Sequence, residues 1–135
     1  MRKTMGALLG VVMAGAFSVA AAPSASAITW DHTMKTKDDN PGGIIKFRDA
    51  GDVVEICDLQ ADGYNVVGVV DDGVWGHGYK IKESRGQGHC TRVDAKKNRE
   101  YDLSENRYVS FMVCLEKGGD DSYFCHDGGW LNKKR

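Results

Sequence analysis

Hydrophobic and polar residues alternate along much of this chain with a period of two. Over residues 107–116, Val109, Phe111, Val113 and Leu115 fall on one face, the pattern of a half-buried strand. Residues 117–121, Lys-Gly-Gly-Asp-Asp, are turn material, and residues 122–126 resume as a strand. A turn centred between Gly119 and Asp120 sets Cys114 opposite Cys125, Leu115 opposite Phe124 and Glu116 opposite Tyr123. Residues 44–48 and 53–57 read as two more strands joined by Asp49-Ala-Gly-Asp52. Residues 64–70 and 74–82 read as a hairpin turning at Asp72-Gly73, a dipeptide suited to positive φ. That register places Val70 against Trp75 and Val66 against Tyr79. Trp75, His77, Tyr79 and Ile81 then share a face, with Lys80 and Lys82 on the other.

Residues 85–88, Arg-Gly-Gln-Gly, form a glycine-bearing loop before Cys90. Past the first 27 residues no helical period of apolar positions runs beyond two turns, and a short helix near 95–101 is the lone helical expectation. About seven short strands with Gly- and Asp-rich turns predict an all-β fold. The expected architecture is a small antiparallel β-sandwich (Ig-like) or barrel with two disulfides, after an N-terminal signal helix. Residues 28–43, with Asp38, Asp39, Asn40, Pro41 and two glycines, read as a loose N-terminal arm, and 44–135 as a single β domain.

The first 27 residues have the form of a secretory signal peptide. Arg2 and Lys3 are its positive start. Residues 7–19 are its apolar stretch, too short for a stable membrane anchor. Ala25-Ser26-Ala27 offers small residues to a signal peptidase, which leaves Ile28 as the first mature residue; cleavage after Ala22 would put Pro23 next to the cut. No second apolar run reaches spanning length, so no membrane attachment is expected after cleavage, and the exported chain is expected to be secreted, extracellular and monomeric.

Removing the leader changes the charge. The full chain of 135 residues carries 18 Lys+Arg against 19 Asp+Glu, and without Arg2 and Lys3 the net falls from −1 to −3. That mild acidity argues against nucleic acid as a partner. The remaining 108 residues suit one domain, small enough for cross-links to matter. All four cysteines, Cys57, Cys90, Cys114 and Cys125, lie in this part and read as two disulfides in an oxidising compartment. The strand register favours Cys114–Cys125, which leaves Cys57–Cys90. A zinc site is the competing reading, but no C-x-x-C pair is present.

Two segments carry a resemblance. Residues 51–64, Gly-Asp-Val-Val-Glu-Ile-Cys-Asp-Leu-Gln-Ala-Asp-Gly-Tyr, are one, and residues 109–118, Val-Ser-Phe-Met-Val-Cys-Leu-Glu-Lys-Gly, followed by Cys125, are the other. Together they resemble a group of small exported actinobacterial proteins of unassigned role. The resemblance implies a β-rich fold with two disulfides and brings no catalytic residues. Asp72-Gly-Val-Trp75 also echoes a strand of the subtilisin-inhibitor family, but that family's reactive-loop cysteine and tyrosine-rich flanks are missing.

Candidate chemistry is sparse. Asp58-Leu-Gln-Ala-Asp-Gly63 has the carboxylates and glycine of a calcium-loop start, but Gln60 stands at the third position and Val69 at the twelfth, where Glu is needed. An acidic turn with Asp58 and Asp62 capping backbone amides is favoured. The histidines are His32, His77, His89 and His126, and H-E-x-x-H is absent. His77, His126, Glu55 and Arg85 are the residue types a small nuclease or glycan hydrolase would use, and no motif joins them. His126 and Asp127 with Tyr123, Phe124 and Trp130 suggest a polar-aromatic patch, and Asn132-Lys-Lys-Arg135 a solvated tail. No cofactor, metal or catalytic residue is assigned. The expectation is a non-enzymatic secreted module that binds an extracellular protein or cell-wall component through loops or an aromatic face. The alternative is an inhibitor of a secreted hydrolase, a protease or an amylase.

Overall fold

The structure is a computed structural model that describes residues 27–119 and 121–134. Apart from Ala27, the expected signal peptide lies outside the described residues. Eight strands follow in order: β1 (His32–Lys35), β2 (Gly43–Arg48), β3 (Val53–Asp58), β4 (Asn65–Asp71), β5 (Gly78–Glu83), β6 (Cys90–Val93), β7 (Arg107–Glu116) and β8 (Ser122–Asn132). They build two four-stranded sheets, β1-β2-β3-β6 and β5-β4-β7-β8, antiparallel throughout. This is a β-sandwich, as the alternation predicts.

The inward rows meet in one core. Ile45, Phe47, Val54 and Ile56 come from one sheet, and Val66, Val70, Ile81, Val109, Phe111, Val113 and Leu115 from the other. Gly68 occupies an inward position of β4. A Cβ there would lie 2.8 Å from Ile56 Cγ2, so this glycine sets how closely the sheets approach. β3 is buried along its whole length, outer face included. There Glu55 accepts from Lys46 Nζ at 3.0 Å and Arg92 Nε at 2.7 Å, and both cations lie over the Trp30 ring, 5.4 and 5.6 Å from its centre.

Several expectations need correction. Residues 28–43 are not all a loose arm, because β1 pairs with β2 over four residues and drives Met34 into the core. The β4–β5 hairpin does not turn tightly at Asp72-Gly73. Its last pair is Asp71 with Gly78, Val70 faces Tyr79, and residues 72–77 form an open loop that carries Trp75 out of the sheet. The displacement is an even number of residues, so Tyr79 and Ile81 keep the inward face and Lys80 and Lys82 the outer one. The helix near 95–101 shrinks to a 3-10 turn, Arg99–Tyr101, capped by the Asn98 side chain. Asn132 is not part of a solvated tail: it is fully buried at the end of β8.

At the β7–β8 hairpin the predicted register holds through Cys114 and Cys125, whose Cα atoms are 4.2 Å apart. Past them it slips by one, and Leu115 faces Tyr123 instead of Phe124. Phe124 is the inserted residue of a bulge, with φ of 52°, and its ring turns to solvent. The bulge aims the Phe124 carbonyl at Lys37 N, 2.9 Å away, and His126 Nδ1 donates to the Lys35 carbonyl at 2.8 Å. Those two bonds tie β8 to β1 and its following loop. On the opposite side Arg85 Nη2 donates to the Cys90 carbonyl at 2.6 Å, and Thr91 Oγ1 to Glu83 Oε2 at 2.8 Å, tying β5 to β6.

Candidate functional site

The two ends of the sandwich are held differently. At one end Cys57–Cys90 joins β3 to β6 and Cys114–Cys125 joins β7 to β8, the pairing the strand register predicts. At the other end, the loop 72–77, the turn 49–52 and the connection 94–106 converge on two buried carboxylates.

Asp72 is the first. Its Oδ2 accepts from Ser104 N at 3.1 Å and Ser104 Oγ at 2.8 Å, and His77 Nδ1 approaches it at 2.6 Å; its Oδ1 accepts from Val74 N at 3.0 Å. Burial by itself would raise the Asp72 carboxyl. The bonds from His77, Val74 and Ser104 outweigh it and hold the group at about 2. Asp71 adds a bond from Gly73 N at 2.7 Å, and His77 N closes a turn on the Val74 carbonyl at 2.9 Å. That turn passes through Trp75 and Gly76, whose φ of 78° suits glycine at the third position of a tight turn. Trp75 at the tip is wholly exposed, at 104 % relative accessibility, and Val74 beside it is also exposed.

Asp52 is the second. Its Oδ2 accepts from Leu103 N at 2.9 Å and its Oδ1 from Asn132 Nδ2 at 2.8 Å. Desolvation dominates here, and it pushes the carboxyl up to about 6 in spite of both bonds. The neighbouring Tyr79 hydroxyl is buried without a hydrogen-bond partner among the described residues, and burial raises it as well.

The chain matches no protein-family model, no curated protein and no solved structure.

His77, His126, Glu55 and Arg85 do not converge. His77 is bound to Asp72, His126 to the Lys35 carbonyl, and Glu55 to Lys46 and Arg92. Arg85 clamps the fully buried Glu83 through Nε at 3.0 Å and Nη2 at 2.6 Å, and this pairing holds the Glu83 carboxyl at about 2. Ser104 and His77 share one carboxylate oxygen, and among the described residues no hydrogen bond joins them to each other. Asp72, which gathers both side chains and two backbone amides, acts as a latch between two loops. Asp58 and Asp62 cap Gln60 N at 3.0 Å and Tyr64 N at 2.9 Å, as an acidic turn requires. Glu55, Cys57 and Cys90 come within 4.8 Å of one another, but both sulfurs belong to a disulfide. Of the polar-aromatic patch, Tyr123 and Phe124 are exposed, while Trp130 packs inward against Phe111 and stacks on His32. Sequence reasoning put Trp75 in a strand and missed Asp72. The glycines at 73 and 76 were the available sign of a longer loop.

Proposed function

We propose that this is an extracellular, non-enzymatic binding domain whose contact point is the 72–77 loop with Trp75 at its tip. One observation carries the reading: a tryptophan stands entirely in solvent on a loop that a buried carboxylate pins at both sides. A fixed aromatic loses little conformational entropy on binding and offers a large contact area, which is why tryptophan dominates many interfaces. The two disulfides and the leader-like first 27 residues support an oxidising, extracellular setting. The two motif segments likewise support kinship with small exported actinobacterial proteins.

The test is capture of partners from culture fluid and cell-wall material by the oxidised domain and by Trp75→Ala. Capture that depends on Trp75 supports the reading. Equal capture by both, or none by either, sinks it.

The inhibitor reading draws on the same pinned loop. Against a protease, the turn closed by His77 N on Val74 O is folded where a substrate-like segment must be extended. A panel of secreted proteases and α-amylases decides: inhibition that Trp75→Ala abolishes would select it.

A further inference from the structure

Around Trp75 the surface is a trough, and its chemistry narrows the occupant. An open depression of about 470 Å³ is lined by Asp71, Val74, Trp75, His77 and glycines 73, 76 and 78. Asp71 also lines a second depression of about 220 Å³, with Val69, Ser110, Met112 and Asp127, on the outer face of the β4-β7-β8 sheet. Asp71 thus borders both spaces. Asp71 pairs with Ser110 in the register, so Tyr108, two residues further along β7 on the same outer face, lies toward the Trp75 end. Tyr108 is exposed. Glycine and serine keep the floor low, and an aromatic stands at or near its rim.

The polar groups facing this trough are mainly acceptors. Asp71 uses one oxygen on Gly73 N, and the Asp127 carboxylate makes no hydrogen bond among the described residues. His77 has committed Nδ1 to Asp72, which turns Nε2 outward as a further polar atom. Two carboxylates repel an anionic ligand, and their charge beside Val69, Met112 and Val74 disfavours a purely hydrophobic one. A ligand is needed that is flat and C–H-rich on one face, uncharged, and rich in hydroxyl donors at its edge. A pyranose ring has that form. Its polarised C–H bonds suit the negative face of an indole, and its hydroxyls donate well to carboxylates.

We propose that Trp75, Asp71 and Asp127 form a binding site for a neutral polysaccharide. The indole stacks on one sugar, and the carboxylates take hydroxyls of that sugar or the next along the trough. This rests on the reading of the 72–77 loop as the contact point and names the ligand class.

The experiment measures retention of the mature, oxidised protein on insoluble cellulose, chitin and xylan, with dextran sulfate beads as an anionic contrast. Retention on at least one neutral polymer is expected, nearly unchanged between low and high salt. Trp75→Ala should lower it at least tenfold, with circular dichroism unaltered because the side chain stands clear of the fold. Asp71→Asn, which keeps the acceptor for Gly73 N, and Asp127→Asn should each weaken it several-fold. Retention on none of the neutral polymers overturns the proposal, as does retention that Trp75→Ala leaves intact. Salt-sensitive retention on dextran sulfate alone also overturns it and points to cationic side chains. If the neutral polymers fail but a secreted protein is captured in a Trp75-dependent way, the ligand class falls and the contact point stands. If nothing depends on Trp75, both fall.

Discussion

The disulfide end and the carboxylate end of this sandwich solve one problem by different means. Both must hold loops that lack the core's apolar support. Where Cys57–Cys90 and Cys114–Cys125 sit, the constraint is covalent and acts largely by restricting the unfolded chain. Where Asp52 and Asp72 sit, it is electrostatic, acts in the folded state, and answers to pH. The exposed tryptophan is at the second end. A disulfide fixes two points of backbone. A carboxylate that gathers several donors fixes a loop's shape residue by residue, which suits a surface whose geometry must be preset.

Several substitutions break or sharpen that contrast. The largest loss is expected from Cys57→Ser combined with Cys90→Ser, which opens a cross-link spanning 33 residues. On the chain-entropy model it removes about 3–4 kcal/mol, measured as a lower urea midpoint, with the loss independent of pH between 4 and 8. Asp72→Ala leaves the Ser104 and Val74 amides and the His77 imidazole without their acceptor. About 2 kcal/mol should be lost, and amide exchange should speed up at Val74 and Ser104 while β3 and β6 stay protected.

Asp52 should behave oppositely. Its folded pKa of about 6 lies above the ordinary 3.8, so the folded state binds the proton more tightly than the unfolded one. Its contribution is therefore most favourable below the ordinary carboxylate range and is lost as pH rises through about 6. Asp52→Asn, which can still accept from Leu103 N and donate to a rotated Asn132 amide whose Oδ1 is otherwise unpartnered, should gain about 1–2 kcal/mol at pH 7. It should also flatten stability between pH 4 and 7, read from urea midpoints across that range. A wild-type midpoint that rises steadily over the same interval, with the variant unchanged, would contradict this. For Asp72, held at about 2, the sign reverses: its stabilisation is complete above the ordinary range and disappears only as pH falls through about 2. The smallest effect on stability belongs to Trp75→Ala, about 0.5 kcal/mol or less in either direction, because its side chain stands in solvent.

The disulfide end was largely legible in the sequence, and the carboxylate end was not. Alternation with period two sets which residues of β7 and β8 oppose, and that is enough to pair Cys114 with Cys125. It cannot register an inserted residue, so the bulge at Phe124 escaped it. The loop end depends on side chains far apart in the chain. Asp52 meets Asn132 across 80 positions and Asp72 meets Ser104 across 32, and neither contact leaves a local pattern. β1 was hidden for another reason: in His-Thr-Met-Lys only Met34 reaches the core, and one apolar residue makes no periodicity. Nothing in the alternation marks Glu83 and Glu116 as buried acids, because the lysines, arginine and threonine that answer them meet them only in the folded chain.

The bonds from Lys37 to the Phe124 carbonyl and from His126 to the Lys35 carbonyl have a consequence for how the sheet edges meet other chains. A sandwich of two open sheets has four edge strands, here β1, β6, β5 and β8, and a bare edge invites a strand from another molecule. On one side the bulge and the imidazole occupy backbone groups of β1 and β8. On the other, Arg85 occupies the Cys90 carbonyl and Thr91 leans toward β5. Backbone groups that would otherwise recruit a second chain are thus turned inward to join the layers. The contacts that hold the sheets together thus also blunt these edges against strand addition from a second molecule.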